Sequence, residues 1–271
     1  MSDVKDYRLN AKQIHILKLV YKFRFMTAPL LASYRNDSNS TVTNTALKKL
    51  VAKGYLERNY GKSYKFQFKA ASYYLMPKAM NLLKTEHDFD PKSLHTMYKN
   101  NNLSPGYVDR YLDALRIFLV IRQTYPGTFH MFTKTELVKY SYFPEKKPDL
   151  CLTRIKPSDK QPNEYLLEIL GNDPLFVLKK RINDYIEHFD SGDWEAETEN
   201  NYPAILLVCS DGKTETKLQE HLNKVFDNTG IDDLAVLTTT LKALLDSKSR
   251  ETAVWSDAVE PEELLSLEKK Q

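Results

Sequence analysis

Three carboxylates in this chain are spaced so that they could act together. Pro148-Asp149 opens one strand-like run, Asp149 to Ile155, and Glu168 stands near the end of the next, Glu164 to Leu170. Carboxylates brought side by side can hold a hard divalent cation. Glu136, in Lys134-Thr135-Glu136-Leu137, could supply a third carboxylate. The plainer reading makes Glu168 a strand-end acid paired with Arg181 or a lysine. A second set of residues suits recognition. Thr41, Asn44, Thr45 and Lys48, with Lys49 beside them, recur at helical spacing and are small, polar or basic. Such side chains can reach base edges in a major groove without blocking approach.

The charge supports a polyanion partner for the first part of the chain. Overall the net charge is +3. Residues 1–84 hold 16 Lys and Arg against 4 Asp and Glu, a net of +12; residues 85–271 hold 23 against 32, a net of −9. A basic segment joined to an acidic one is the electrostatic pattern of a nucleic-acid-binding half and a separate partner domain.

The elements that must position the recognition set can be read from periodicity. Asn10 caps a helix to about Arg24, with Ile14, Leu17 and Tyr21 as its stripe beside Ile16 and Val20. Thr27 caps a short second helix, Ala28 to Tyr34. After the polar turn Asn36-Asp37-Ser38-Asn39, a third helix runs from Ser40 or Thr41 to Gly54. Val42, Ala46 and Leu50 are expected to face inward, with Leu47 and Val51 flanking, and Thr41, Asn44, Thr45 and Lys48 outward. The period then changes to two. Tyr55 to Tyr60 reads as a strand, Gly61-Lys62-Ser63 as a turn, and Lys65 to Lys69 as the return strand, with Phe66 and Phe68 inward. Tyr73 to Met76 continues that strand or follows a bulge, and Pro77 opens a fourth helix. Three helices followed by a basic hairpin is the winged-helix order, in which Lys62, Lys65 and Lys69 would contact phosphates.

The second half reads as a layered α/β domain. Residues 88–103 are polar and are expected to be a linker after a domain at 1–87. A long helix runs from Ser104-Pro105 to about Tyr125. Strands follow at Thr128–Thr133, Asp149–Ile155 and Glu164–Leu170, then a helix from Asp173 to Phe189 and the wholly apolar strand Ala204–Cys209. The domain is expected to span 104–255, with an acidic, mobile tail at 256–271. No run of 18 apolar residues occurs, and the N-terminus has no apolar signal core, so a cytoplasmic protein with no membrane partner is expected. Cys151 and Cys209 lie in apolar strands and read as buried thiols. The dispersed histidines have no zinc spacing.

The order of these elements, with Pro148-Asp149 on one strand and Glu168 near the end of the next, resembles the PD-(D/E)xK nuclease superfamily. That likeness implies a restriction-endonuclease-like fold and a magnesium site in which Asp149 and Glu168 would be the metal ligands and, with Glu136, the catalytic groups. In such nucleases a lysine usually stands two residues after the second acid; here that residue is Leu170, which can neither orient water nor answer a developing charge. Over residues 10–228 the chain also resembles the replication-relaxation proteins of plasmids and integrative elements. The residues carrying this likeness are Tyr73-Tyr74-Leu75, the Glu136 segment, Pro148-Asp149, Leu167-Glu168, Arg181 with Tyr185, and Ala204–Val208. The resemblance implies an α+β protein, a winged helix-turn-helix followed by a degenerate nuclease-like domain. It also implies a non-catalytic accessory that binds double-stranded DNA in replication or mobilisation, beside a relaxase or replication protein. Two other classes fit the sequence: a winged-helix transcriptional regulator whose acidic domain dimerises or senses a ligand, and a magnesium-dependent nuclease with an altered site. Without the lysine, no cofactor is the leading expectation, and magnesium the alternative.

Overall fold

The computed structural model describes residues 9–38, 40–60, 66, 69–85, 89–158, 161–247, 249–250 and 252–268. The chain divides into two compact units, Met1–Leu115 and Arg116–Gln271. It is a mixed α+β protein, and no helix among the described residues is long and apolar enough to cross a membrane.

In unit 1, α1 (Ala11–Phe23) opens on a reciprocal cap. Asn10 Oδ1 accepts from Gln13 N at 2.9 Å, and Gln13 Oε1 accepts from Asn10 N at 3.1 Å. Strand β1 (Met26–Thr27) leads into α2 (Ala28–Arg35), capped by Thr27, and then α3 (Ser40–Ala52). Helix α3 ends where Gly54 takes a left-handed φ of 72°. There Tyr55 N reaches Leu50 O and Gly54 N reaches Val51 O, satisfying carbonyls that the helix leaves over. Strands β2 (Leu56–Asn59) and β3 (Ser72–Leu75) pair antiparallel, and β1 adds to the other side of β3.

The strand that pairs with β2 is Ser72–Leu75, close to the expected Tyr73–Met76 run, and most of the expected Lys65–Lys69 strand lies outside the described residues. The reason is burial: β3 lies between two strands and is buried at all four positions, which suits a continuous apolar run better than an alternating one. Phe66, expected in the core, is 84% exposed. The expected turn Gly61-Lys62-Ser63, together with Lys65 and Phe68, lies outside the described residues.

The described part of the expected linker, residues 89–103, is packed. After α4 (Pro77–Leu83), α5 (Pro91–Met97) buries Leu94 and Met97, and a 3-10 turn at Asn100–Asn102 buries Asn100. Arg24 explains this. Its guanidinium, itself buried, donates to Asn100 Oδ1 at 2.8 Å, to the Thr96 carbonyl at 3.1 Å, and to the hydroxyls of Tyr107 and Tyr111. These acceptors tie 96–111 onto unit 1, so the boundary falls at Leu115 inside α6 (Pro105–Thr124), and not near residue 87.

Unit 2 is built on a seven-stranded sheet of order β10-β9-β8-β7-β6-β5-β4. Strands β4 (Phe129–Thr133), β5 (Leu150–Arg154) and β6 (Glu164–Leu170) form an antiparallel meander, with the short helix α7 (Lys134–Leu137) after β4. Helix α8 (Leu175–Asp190) and the short α9 (Asp193–Thr198) precede β7 (Ala204–Cys209), parallel to β6. Helix α10 (Gly212–Thr229) then carries the chain to β8 (Val236–Thr240), parallel to β7. Leu166, Leu170, Ile205, Leu207 and Cys209 pack in one core with Leu178 and Ile182 of α8 and Leu218 and Leu222 of α10.

The expected mobile tail is packed as far as residue 268, where the described residues end. After α11 (Leu241–Asp246), β9 (Trp255–Asp257) and β10 (Leu264–Leu265) extend the sheet. Beyond them Leu267 is 2% exposed, and the Arg154 guanidinium donates to its carbonyl at 2.5 Å.

Cys151 and Cys209 are free and buried, as expected from their apolar strands. Burial pushes both thiols up to about 12. The folded chain therefore keeps two protons that an unfolded chain releases near pH 8.5. Stability from this source is intact below that pH and is lost as pH rises toward 12. A thiol reagent at pH 8 should leave both cysteines unlabelled until denaturant unfolds the chain; rapid labelling of the native protein would contradict their burial.

Candidate functional site

The recognition set lies on α3, with its phase shifted from the expected one. Thr43, Leu47 and Leu50 face inward, while Val42 is 63% exposed. A hydrogen bond selects this phase: Thr43 Oγ1 donates to Asp37 Oδ2 at 2.7 Å, and Arg35 Nε lies 3.5 Å from the same oxygen. A buried hydroxyl with an acceptor can replace a buried valine, and the turn before α3 supplies that acceptor.

The outward face keeps its expected members. Thr41, Thr45, Lys48 and Lys49 are exposed, and Asn44 is half-buried. Thr41, Asn44, Thr45 and Lys48 line a concavity of about 610 Å³, which Arg58 of β2 and Tyr73 of β3 complete. Thr45 Oγ1 donates back to the Thr41 carbonyl at 2.9 Å, which leaves its oxygen as an acceptor. Arg58 also lies over the Tyr60 ring at 4.4 Å. Sequence reading missed Arg58; the available signal was its position as the one base on a strand paired to the core strand. Lys69, expected as a phosphate contact, is held by Asp109 Oδ2 at 2.7 Å. Lys62 and Lys65 lie outside the described residues.

The acidic residues are placed by the meander. Asp149 immediately precedes β5, and its Oδ2 accepts from Ile169 N at 2.9 Å. Lys134 Nζ is 4.0 Å from Asp149 Oδ1. Glu168 lies in mid-sheet and is 0% exposed. Arg181 of α8 grips it at both oxygens, Nε to Oε1 at 2.8 Å and Nη2 to Oε2 at 2.7 Å. Tyr185, one turn on, donates to Oε2 at 2.8 Å. The plainer reading of Glu168, a partner for Arg181, is the arrangement found.

Burial opposes the charge on Arg181, but the hydrogen bond to Glu168 and the attraction of Tyr185, Glu168 and Asp149 outweigh it and hold the guanidinium protonated. Burial first, then the Glu168 charge, pushes the Tyr185 hydroxyl well above the ordinary tyrosine range. Both carboxylates thus act on one guanidinium. Glu136 caps the helix it begins: its Oε2 accepts from Thr133 N at 2.8 Å and Thr133 Oγ1 at 3.0 Å. Leu170 is 1% exposed within the core cluster. Among the described residues, no group of three or more His, Cys, Asp or Glu is placed to hold a metal ion.

No family model matches the sequence, and no curated protein matches it. Three mutant forms of ZitR from Lactococcus lactis are similar solved structures. They are 21%, 21% and 24% identical, with TM-scores of 0.26, 0.26 and 0.25. The matches cover 42%, 41% and 42% of this chain and 78%, 75% and 76% of those chains.

Removing one partner of a buried ion pair strands the other charge. Arg181→Met should cost about 3–5 kcal/mol of stability. The double change Arg181→Met with Glu168→Leu should cost less than Arg181→Met alone, because no buried charge is left over. Urea denaturation of the variants measures both; equal losses in the single and double variants would contradict the pairing.

Proposed function

We propose that the protein is a non-catalytic, double-stranded-DNA-binding accessory of a plasmid or other mobile element. Unit 1 acts as a winged helix-turn-helix, and unit 2 is a nuclease-like domain that no longer cleaves. The observation that carries the DNA reading is the outward face of α3, with Thr41, Asn44, Thr45 and Lys48 around one concavity beside Arg58. Supporting it is the charge: residues 1–115 hold 19 Lys and Arg against 9 Asp and Glu. Asn44 offers a paired donor and acceptor for an adenine edge, and exposed Val42 offers an apolar contact for a thymine methyl. Lys48, Lys49 and Arg58 suit phosphates, whose neutralisation releases counterions and gives affinity without sequence preference.

The non-catalytic reading of unit 2 rests on Glu168. A divalent cation bound there would have to displace a guanidinium that holds both oxygens, inside a site closed to solvent. The residues present therefore do not fit a resident magnesium ion. Leu170 lies in the core, so a lysine there would be buried and destabilising instead of poised beside water. The role in replication or mobilisation rests on the resemblance carried by the Tyr73 to Leu75 strand, Pro148-Asp149, Glu168, Arg181 and Tyr185.

The full chain should bind duplex DNA with an affinity that falls roughly 10³-fold between 50 and 200 mM salt. Asn44→Ala should relax sequence preference by about 1–3 kcal/mol at one base pair. Lys48→Ala should weaken binding to all sequences alike. Selection on random duplexes separates the two phenotypes, and their exchange would overturn the assignment. Recovery of bound DNA from cells should map to a replication or transfer origin; recovery of promoters alone would favour a transcriptional regulator. Supercoiled plasmid should stay intact with the purified protein and magnesium, whereas robust cleavage abolished by Asp149→Ala would overturn the non-catalytic reading.

A further inference from the structure

Unit 2 contains a cavity of about 400 Å³ beside its edge strand β4, and neither Glu168 nor Arg181 lines it. Its walls are aromatic. Tyr140, Tyr142 and Phe143 come from the loop after α7, and Trp194 comes from α9. Tyr142 and Phe143 stack with centroids 5.0 Å apart, and Trp194 meets them edge-on at 5.3 and 5.1 Å. The loop that presents these rings is pinned from behind: Lys147 Nζ donates to the carbonyls of Tyr140 at 2.8 Å and Phe143 at 3.0 Å. The rings are therefore held in place before any ligand arrives, which lowers the entropic cost of binding.

The charges lining the cavity are of one sign. Glu164, half-buried on β6, and Glu197, exposed on α9, both line it, and no Lys, Arg or His does. Glu164 Oε1 accepts from Thr153 Oγ1 at 3.3 Å, a neutral donor that leaves the carboxylate's charge unanswered by that contact. Aromatic faces carry negative potential and attract cations, more strongly where water is excluded. Tyr140 already has an ammonium over its ring, that of Lys139 at 5.0 Å. A further observation points to a ligand. Trp194 is 1% exposed, yet its Nε1–H has no acceptor among the described residues. A buried indole N–H ordinarily finds a partner.

We propose that this cavity is a binding site for a compact alkylammonium ion. The rings would surround its apolar, positively charged end, and Glu164 and Glu197 would balance the charge. A hydroxyl or carbonyl on the same molecule would accept from Trp194 Nε1–H. The volume limits the ligand to a small molecule. The site lies wholly within unit 2, and its occupancy does not depend on unit 1 binding DNA.

Calorimetric titration of the full chain tests the proposal. The probes are tetramethylammonium, choline, and 3,3-dimethylbutan-1-ol, the neutral isostere of choline. Choline should bind saturably with one site per chain, and the isostere should bind roughly 10-fold more weakly or worse, since it lacks the charge. Tetramethylammonium should bind but more weakly than choline, because it has no acceptor for Trp194. Glu164→Gln should weaken choline roughly 10-fold and leave the isostere unchanged. Should that variant melt at a lower temperature than the parent, Tyr142→Leu supplies the second test and should weaken both ammonium ions. Failure of both ammonium ions to bind, equal affinity for choline and its isostere, or wild-type affinity in the folded variants would each overturn the site. None of these results bears on DNA binding, which is measured separately.

Discussion

A carboxylate in the middle of a sheet needs an answering charge, and in unit 2 the answer to Glu168 comes from Arg181. The guanidinium must reach the sheet from the next helix, so α8 has to lie with Leu178, Arg181, Ile182 and Tyr185 against the strands. That placement brings Tyr185 onto the second oxygen and fills the same face with the apolar core. It also sets the chemistry available. In a low-dielectric interior the guanidinium of Arg181 supplies the fixed positive charge that answers Glu168. The polar cluster thus acts as an internal lock between strand and helix.

Unit 1 uses the same device for a different end. Arg24 is buried, and its donors are met by neutral acceptors from residues 96 to 111. A guanidinium desolvated without acceptors would be costly, so the segment that supplies them cannot behave as a tether. Leu94, Met97 and Val108 are buried along that segment for the same reason. The polar composition of 88–103 is the composition of a loop, but its polar atoms are acceptors for a buried base.

The outward face of α3 depends on smaller energies. A helix with one apolar residue every three or four positions can settle in two phases a single residue apart, and hydrophobicity alone favours burying Val42. The Thr43–Asp37 hydrogen bond turns the balance and leaves a valine on the outward face. The outward polar set survives because Thr41, Thr45 and Lys48 lie near the centre of that face in either phase, and only its margins change.

Local pattern alone specified most of the elements. The caps at Asn10 and Thr27, the stop at Gly54, the strands β4 to β6 and the all-buried strand β7 follow from side-chain chemistry and period, which act within a few residues. The pairing of the two acids with neighbouring strands was legible for the same reason. Undecided in the sequence were the strand that returns to β2, the use made of residues 88–103 and 256–268, the phase of α3, and which of several cations would reach Glu168. Each depends on a partner distant in sequence: β1 beside β3, Arg24 beneath Asn100, Arg154 against the Leu267 carbonyl, Arg181 across from the sheet. Burial of a charge or of a hydrogen-bonding group is decided only when the chain has closed on itself, because only then does water leave and a specific acceptor become worth more than solvent.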